Sequence, residues 1–388
     1  MMLRGATALV TGGSGFIGGR LIEVLVGQYG MKVKALIRSS SSGGGAFRAA
    51  AAGADFVVGS LLDEATLFEA VSDGDSVFHC AYGSHGDLAE QRRVTVEGTR
   101  LLARAAGAAK VRHFVNLSTL ITFGADTPAV VDEGHAPTRM WKWPYAVDKR
   151  DAERALIEEH RRSALPLTIL RLGAIYGPYG PAFTVGPLQA LASGRVALVD
   201  GGQGVSNATY VDDVIQAMVL AAIRPEGVPE IFTIKGPDRV TWRQLYEAYQ
   251  AMLGVDALVP MSRAEMRAAR GAAARAALRR LVPEALAALK ASAGFKHAAG
   301  ALPLIRPAYA LLGKRRGAVA TPASAAPVAS PERPIQLIPD MMIDYYACTT
   351  EYRIDRARER LGYAPAFDLA RGMALTEGWA RWANLIPS

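Results

Sequence analysis

Cysteine is nearly absent from the 388 residues: Cys80 and Cys348 lie too far apart for a metal-ligand pair or a disulfide framework. The six histidines (His79, His85, His113, His135, His160 and His297) show no ligand spacing, so no metal is expected, and His79 reads as part of a strand end. No apolar run approaches the roughly 20 residues that a membrane span requires. The opening residues MMLRGATALVTGG run directly into a strand-like pattern, leaving no room for a targeting peptide. A reducing cytoplasm is the expected compartment. Excess charge is also missing from most of the chain. The formal net charge is +8, but residues 262–316 alone hold twelve Lys or Arg against two acids, Glu265 and Glu284. The remainder is slightly acidic, which excludes a basic nucleic-acid-binding face on the main fold.

What is present is a repeated alternation. Short apolar runs at 7–13, 32–38, 54–60, 76–81, 113–119, 167–173 and 230–236 are separated by helical patterns such as 15–30, 94–109 and 213–223. Buried strands between helices predict βαβ units, and hence an α/β fold with a doubly wound parallel sheet of the Rossmann type. Residues 1–173, joined by about 208–236, form the expected dinucleotide-binding domain. Residues 174–388 form a smaller substrate lobe. Within that lobe, 262–316 reads as basic amphipathic helices, and the Ala-, Pro- and Ser-rich 317–334 as a connector.

The first strand ends in TGGSGFIG, with Gly12, Gly15 and Gly18 between strand and helix. Glycine permits a tight turn and close backbone approach to a pyrophosphate, and the helix N-terminus offers free N–H groups. An acid at the end of the second strand would accept the ribose hydroxyl of NAD; here Arg38 stands in LIRSSS, which favours the extra phosphate of NADP. In WPYAVDKRDAERAL, Tyr145 and Lys149 are four residues apart and share a helix face. A free phenol with a pKa of ~10 is a poor base at neutral pH, and an adjacent ammonium lowers it. Ser118 and Thr119 supply hydroxyls where the fifth strand ends.

Taken together, the glycine loop, these hydroxyls and Tyr-x-x-x-Lys resemble the extended short-chain dehydrogenase/reductase superfamily, the NAD-dependent epimerase/dehydratases. Further matches are SVFHCAY, VTVEGTRLL, RLGAIYGP and YVDDVIQAM, and the likeness covers about residues 5–255 before resuming near 356. The resemblance implies Tyr145 as catalytic acid/base, with Lys149 holding the nicotinamide ribose and Thr119 orienting the substrate oxygen. Ser118 is the alternative if the register slips by one. Gly12, Gly15 and Gly18 become the pyrophosphate loop, Phe16 and Ile17 its continuation, and Ala81 part of the cofactor path. It also implies a homodimer paired through helices at 94–109 and 145–160.

Departures from the family pattern narrow the chemistry. Ser60 replaces an acid near the adenine, and Thr95 replaces an asparagine. Leu120 and Ile121 stand where sugar dehydratases carry acids, and Ala174, Ser206 and Asn207 replace polar and basic contacts of nucleotide-sugar enzymes. The leading expectation is an NAD(P)-dependent oxidoreductase moving hydride between nicotinamide and a secondary alcohol or ketone on a small, less polar molecule. The alternatives are a nucleotide-sugar 4-epimerase and a non-catalytic cofactor-binding scaffold. Asp212 and Asp213 read as helix-capping acids. Trp141 and Trp143 are candidates for a cleft wall, with ordinary packing an equal alternative. The basic helices of 262–316 read as a lid over the site or, alternatively, as a membrane-surface contact.

Overall fold

Residues 3–38, 44–223, 229–291 and 334–387 are described by a computed structural model. Seven strands form one sheet: β1 (Thr7–Thr11), β2 (Lys32–Ile37), β3 (Asp55–Val58), β4 (Ser76–His79), β5 (His113–Thr119), β6 (Leu167–Leu172) and β7 (Glu230–Ile234). Every pairing is parallel, in the order β3-β2-β1-β4-β5-β6-β7. The chain moves outward from β1 to β3, then returns to β4 and proceeds the other way. The crevice above β1 and β4, where the order reverses, is where such sheets bind ligands.

Central strands are buried on both faces, which is why their sequences are continuously apolar rather than alternating. On one face, helix Phe16–Gly27 packs beside Val211–Ile223, with Leu21, Ile22, Leu25, Val214 and Met218 in a single core. The other face carries Glu64–Ala70, Gly98–Ala108 and Pro144–Ser163, joined through Leu67, Leu102, Ala106 and Leu156. Each fully buried Leu, Ile, Val or Met side chain among these contributes about 1.5–3 kcal/mol.

A second core lies around strand Arg195–Val199, whose two parallel neighbours are Leu258–Met261 and Ile335–Gln336. Trp242, Leu245 and Tyr249 from helix Trp242–Leu253 fill it. The C-terminal segment returns to the first core, where Asp213 accepts the amides of Ala366 (2.7 Å) and Phe367 (3.3 Å). Asp212 pairs with Arg20 at 2.6 Å. The two acids sit in the first turn of their helix, yet they bind other segments rather than capping their own.

The expected basic helices begin as one helix, Arg263–Ala291; the rest of 262–316, and the connector up to 333, lie outside the described residues. Met266 is buried, while Arg267 is exposed and bonds Asp344 at 2.6 Å. No helix among the described residues is long and apolar enough to cross a membrane.

His79 lies inside this fold between Thr11 (Nδ1 to Oγ1, 2.7 Å) and Thr99 (Nε2 to Oγ1, 2.9 Å). Burial, and secondarily the charge of Lys149, pushes its pKa down to about 3. The unfolded chain binds a proton near pH ~6.5 that the folded chain refuses, so stability falls as pH drops below that value. Urea midpoints at pH 7 and pH 5 should show a larger loss for the wild type than for His79→Gln.

Candidate active site

A cleft of about 570 Å³ runs from the end of β2, past β1 and β4, to the start of helix Pro144–Ser163. Gly12, Gly15, Phe16, Ile17, Gly18, Arg38 and Ala81 line one part; Ser118, Thr119, Tyr145 and Lys149 line the other. The candidates named from sequence thus share one cavity. Gly12 has φ +69°, and a Cβ there would stand 2.9 Å from the Ala81 amide nitrogen. A Cβ on Gly15 would stand 3.1 Å from the Gly12 carbonyl, and one on Gly18 would overlap that same carbonyl. Helix Phe16–Gly27 has no side-chain cap and no acid in its first turn. Its free N–H groups and partial positive charge suit a diphosphate. The loop, the helix end and the cleft together fit a nicotinamide dinucleotide.

Helix Pro144–Ser163 begins with proline at its first position, where a missing N–H costs nothing, and continues with good helix formers. Ala146, Lys149, Ala152, Glu153 and Leu156 form its buried face. Lys149 is buried, and its Nζ donates to the Leu117 carbonyl at 2.9 Å. Burial pushes its pKa down to about 8, against smaller upward effects from Cys80 and Glu153. Tyr145 is pushed well above an ordinary phenol by burial, then by Tyr82 and Tyr345. The lowering expected from Lys149 is therefore not a property of the polypeptide alone. The resting form is the neutral phenol, a proton donor.

Ser118 and Thr119 separate at the end of β5, as adjacent strand residues do. Ser118 is buried, and its Oγ donates to Glu153 Oε1 at 2.5 Å. Thr119 is half-buried, and its Oγ1 accepts only a long 3.4 Å bond from the Ile121 amide. Glu153 is held on its other side by Arg171, at 3.0 and 2.7 Å. Breaking such a buried pair costs about 3–5 kcal/mol. Sequence reading missed this network.

Arg38 is exposed at the end of β2, 3.5 Å from His85 Nδ1. Ser60 accepts the Leu62 amide, and Thr95 accepts the Gly83 amide at 2.9 Å. Ala174, Ser206 and Asn207 do not line the cleft. Of the two tryptophans, Trp143 lines it and Trp141 is buried behind, its ring 6.1 Å from that of Tyr345. Tyr82, Phe183 and Tyr345 were not anticipated as lining residues. Tyr82 directly follows Ala81, a sequence clue; Tyr345 lies beyond the Ala/Pro/Ser stretch, where nothing local ties it to the site. The described residues contain no group of acids, histidines and cysteines able to hold a metal.

The sequence profile of the NAD dependent epimerase/dehydratase family matches residues 8–234, and the chain belongs to that family. A ketoreductase of Stigmatella aurantiaca, named for a 4-hydroxy-2-methyl-3-oxo-4-farnesyl-3,4-dihydroquinoline-1-oxide, is 31% identical over 230 residues, 58% of this chain and 67% of that protein. The 2-alkyl-3-oxoalkanoate reductase of Shewanella oneidensis is 24% identical over 380 residues, 94% of this chain and 84% of its own. A Vibrio cholerae UDP-glucose 4-epimerase is 25% identical over 240 residues, covering 58% and 69%. The solved dTDP-glucose 4,6-dehydratase from Streptomyces venezuelae, with NAD bound, shares the fold with a TM-score of 0.67, 20% identity and 97% coverage of both chains. Reductases, dehydratases and epimerases make up this set, and the chain is an enzyme of the same NAD-dependent group.

Because Gly12 combines a left-handed φ with contact against Ala81, Gly12→Ala should weaken dinucleotide binding at least about tenfold and lower stability by ~1–3 kcal/mol. Calorimetric titration with NADH and NADPH, beside thermal melting, measures both.

Proposed function

We propose that the chain is an NAD(P)-dependent ketone reductase or secondary-alcohol dehydrogenase working through Thr119, Tyr145 and Lys149. The observation that carries this reading is that Tyr145, a neutral phenol by burial, shares one cleft with the glycine loop and with Lys149. A bound nicotinamide would supply or accept the hydride. In the reducing direction Tyr145 gives its proton to the substrate oxygen as the carbonyl carbon becomes tetrahedral. Thr119 donates a second hydrogen bond to that oxygen and fixes its direction. Lys149, tied to the Leu117 carbonyl, keeps a positive charge near the phenolate that forms. Ser118, bonded to Glu153, holds the strand end rather than the substrate.

NADP is the preferred form in this reading, supported by Arg38 at the end of β2 and the absence of an acid there. A homodimer formed through Gly98–Ala108 and Pro144–Ser163 belongs to the same reading, supported by their packing side by side on one face of the sheet. The epimerase reading draws on the Vibrio cholerae relative. It is distinguished by interconversion of UDP-sugars with no net change in nicotinamide absorbance.

Tyr145→Phe should lower kcat for ketone reduction about a hundredfold to ten-thousandfold while dinucleotide affinity holds; unchanged turnover would overturn the mechanism. Lys149 loses its charge as pH rises through about 8, so kcat/KM for reduction should fall on the alkaline side of that value. Arg38→Ala should erase a preference for NADPH over NADH in parallel titrations.

A further inference from the structure

The inner end of the cleft is walled by rings. Tyr82 and Trp143 both abut Tyr145, with centroids 5.6 and 5.3 Å from its own. Trp143 in turn meets Tyr345 at 6.4 Å, edge to face, and Ile121 completes the wall. Arg38, His85 and Glu90 of the lining are gathered elsewhere: Arg38 and His85 touch each other at the end of β2, and Glu90 lies against Gly86 beside them. Among the described residues, Lys149 is the single cation at the inner end, and its Nζ is already bonded to the Leu117 carbonyl. A phosphate or carboxylate placed there would lose water and meet one ammonium already shared with a backbone carbonyl, among apolar rings. A flat apolar ring would meet ring faces and edges on several sides.

Tyr345 reaches this wall from the second lobe. It sits in the short helix Ile343–Ala347, whose Ile343 shares a core with Met266. Its neighbour Tyr346 stacks on Trp242 at 4.1 Å and 22°. The half-buried ring of Tyr345 is thereby held from behind by packed groups while it lines the cleft.

We propose that the inner end binds an uncharged ketone whose carbonyl is borne on a flat, apolar ring system, with Tyr345, Trp143 and Tyr82 determining specificity. This rests on the reductase reading and extends it to a substrate class. The test uses 2-acetylnaphthalene, its carboxylated analogue 6-acetyl-2-naphthoate, and UDP-glucose. Binding is measured by calorimetry on the Tyr145→Phe protein loaded with NADP, and turnover on the wild type with NADPH. The naphthyl ketone should bind at least about tenfold more tightly than either charged compound. Tyr345→Ala should raise its KM about tenfold with kcat held within about threefold, while Tyr345→Phe, which keeps the ring, stays near wild type. Tyr345→Leu, checked by thermal melting, serves if the alanine variant does not fold, and should also raise KM. Equal or tighter binding of either charged compound overturns the assignment, as does an unchanged KM when both Tyr345 and Trp143 are removed. Tight binding of the naphthyl ketone without its reduction would uphold the pocket and overturn the reductase reading. Reduction of both ketones with equal KM would do the reverse.

Discussion

The inner end of the cleft is organised around one buried cation. Lys149 is largely withdrawn from solvent, and its ammonium is met by the Leu117 carbonyl and, at greater range, by the charge of Glu153. The surroundings adapt to it. His79, pushed down by burial and by Lys149, stays neutral between two threonines. The Cys80 thiol is pushed up to about 12 by burial despite the nearby charge, and is inert as a nucleophile at neutral pH. Tyr145, pushed up by burial, is the group to which the proposed mechanism gives the moving proton. A buried charge of this kind is costly, and it persists where it serves chemistry rather than stability.

Most of the sheet was legible in the sequence because each strand is a short apolar run bounded by turn residues. The glycine loop was legible for a sharper reason: Gly12 and Gly18 stand where a Cβ would meet the β4 end or the loop's own carbonyl. Tyr145 and Lys149 were found because helical spacing links residues four apart. Ser118 and Thr119 were less clear, since adjacency in sequence does not reveal which hydroxyl a buried carboxylate takes. That needs Glu153, and Glu153 needs Arg171 from β6.

What escaped sequence reading came from distant segments. Tyr345 is brought to Trp143 only by the second lobe's packing. Asp213 looked like a cap because it opens a helix, but it accepts amides from residues 366 and 367 far along the chain. The basic segment beyond Ala291 lies outside the described residues. Alanine, leucine and arginine make a helix readily, yet a helix gains an apolar face only from their order.

The second lobe's small sheet has a separate consequence. Leu258–Met261 and Ile335–Gln336 flank the same strand, Arg195–Val199, so the chain between them leaves and returns within about two strand spacings, roughly 10 Å. Both attachments thus depend on Arg195–Val199, so a change that loosened this one strand would free the chain on either side of 262–334 at once.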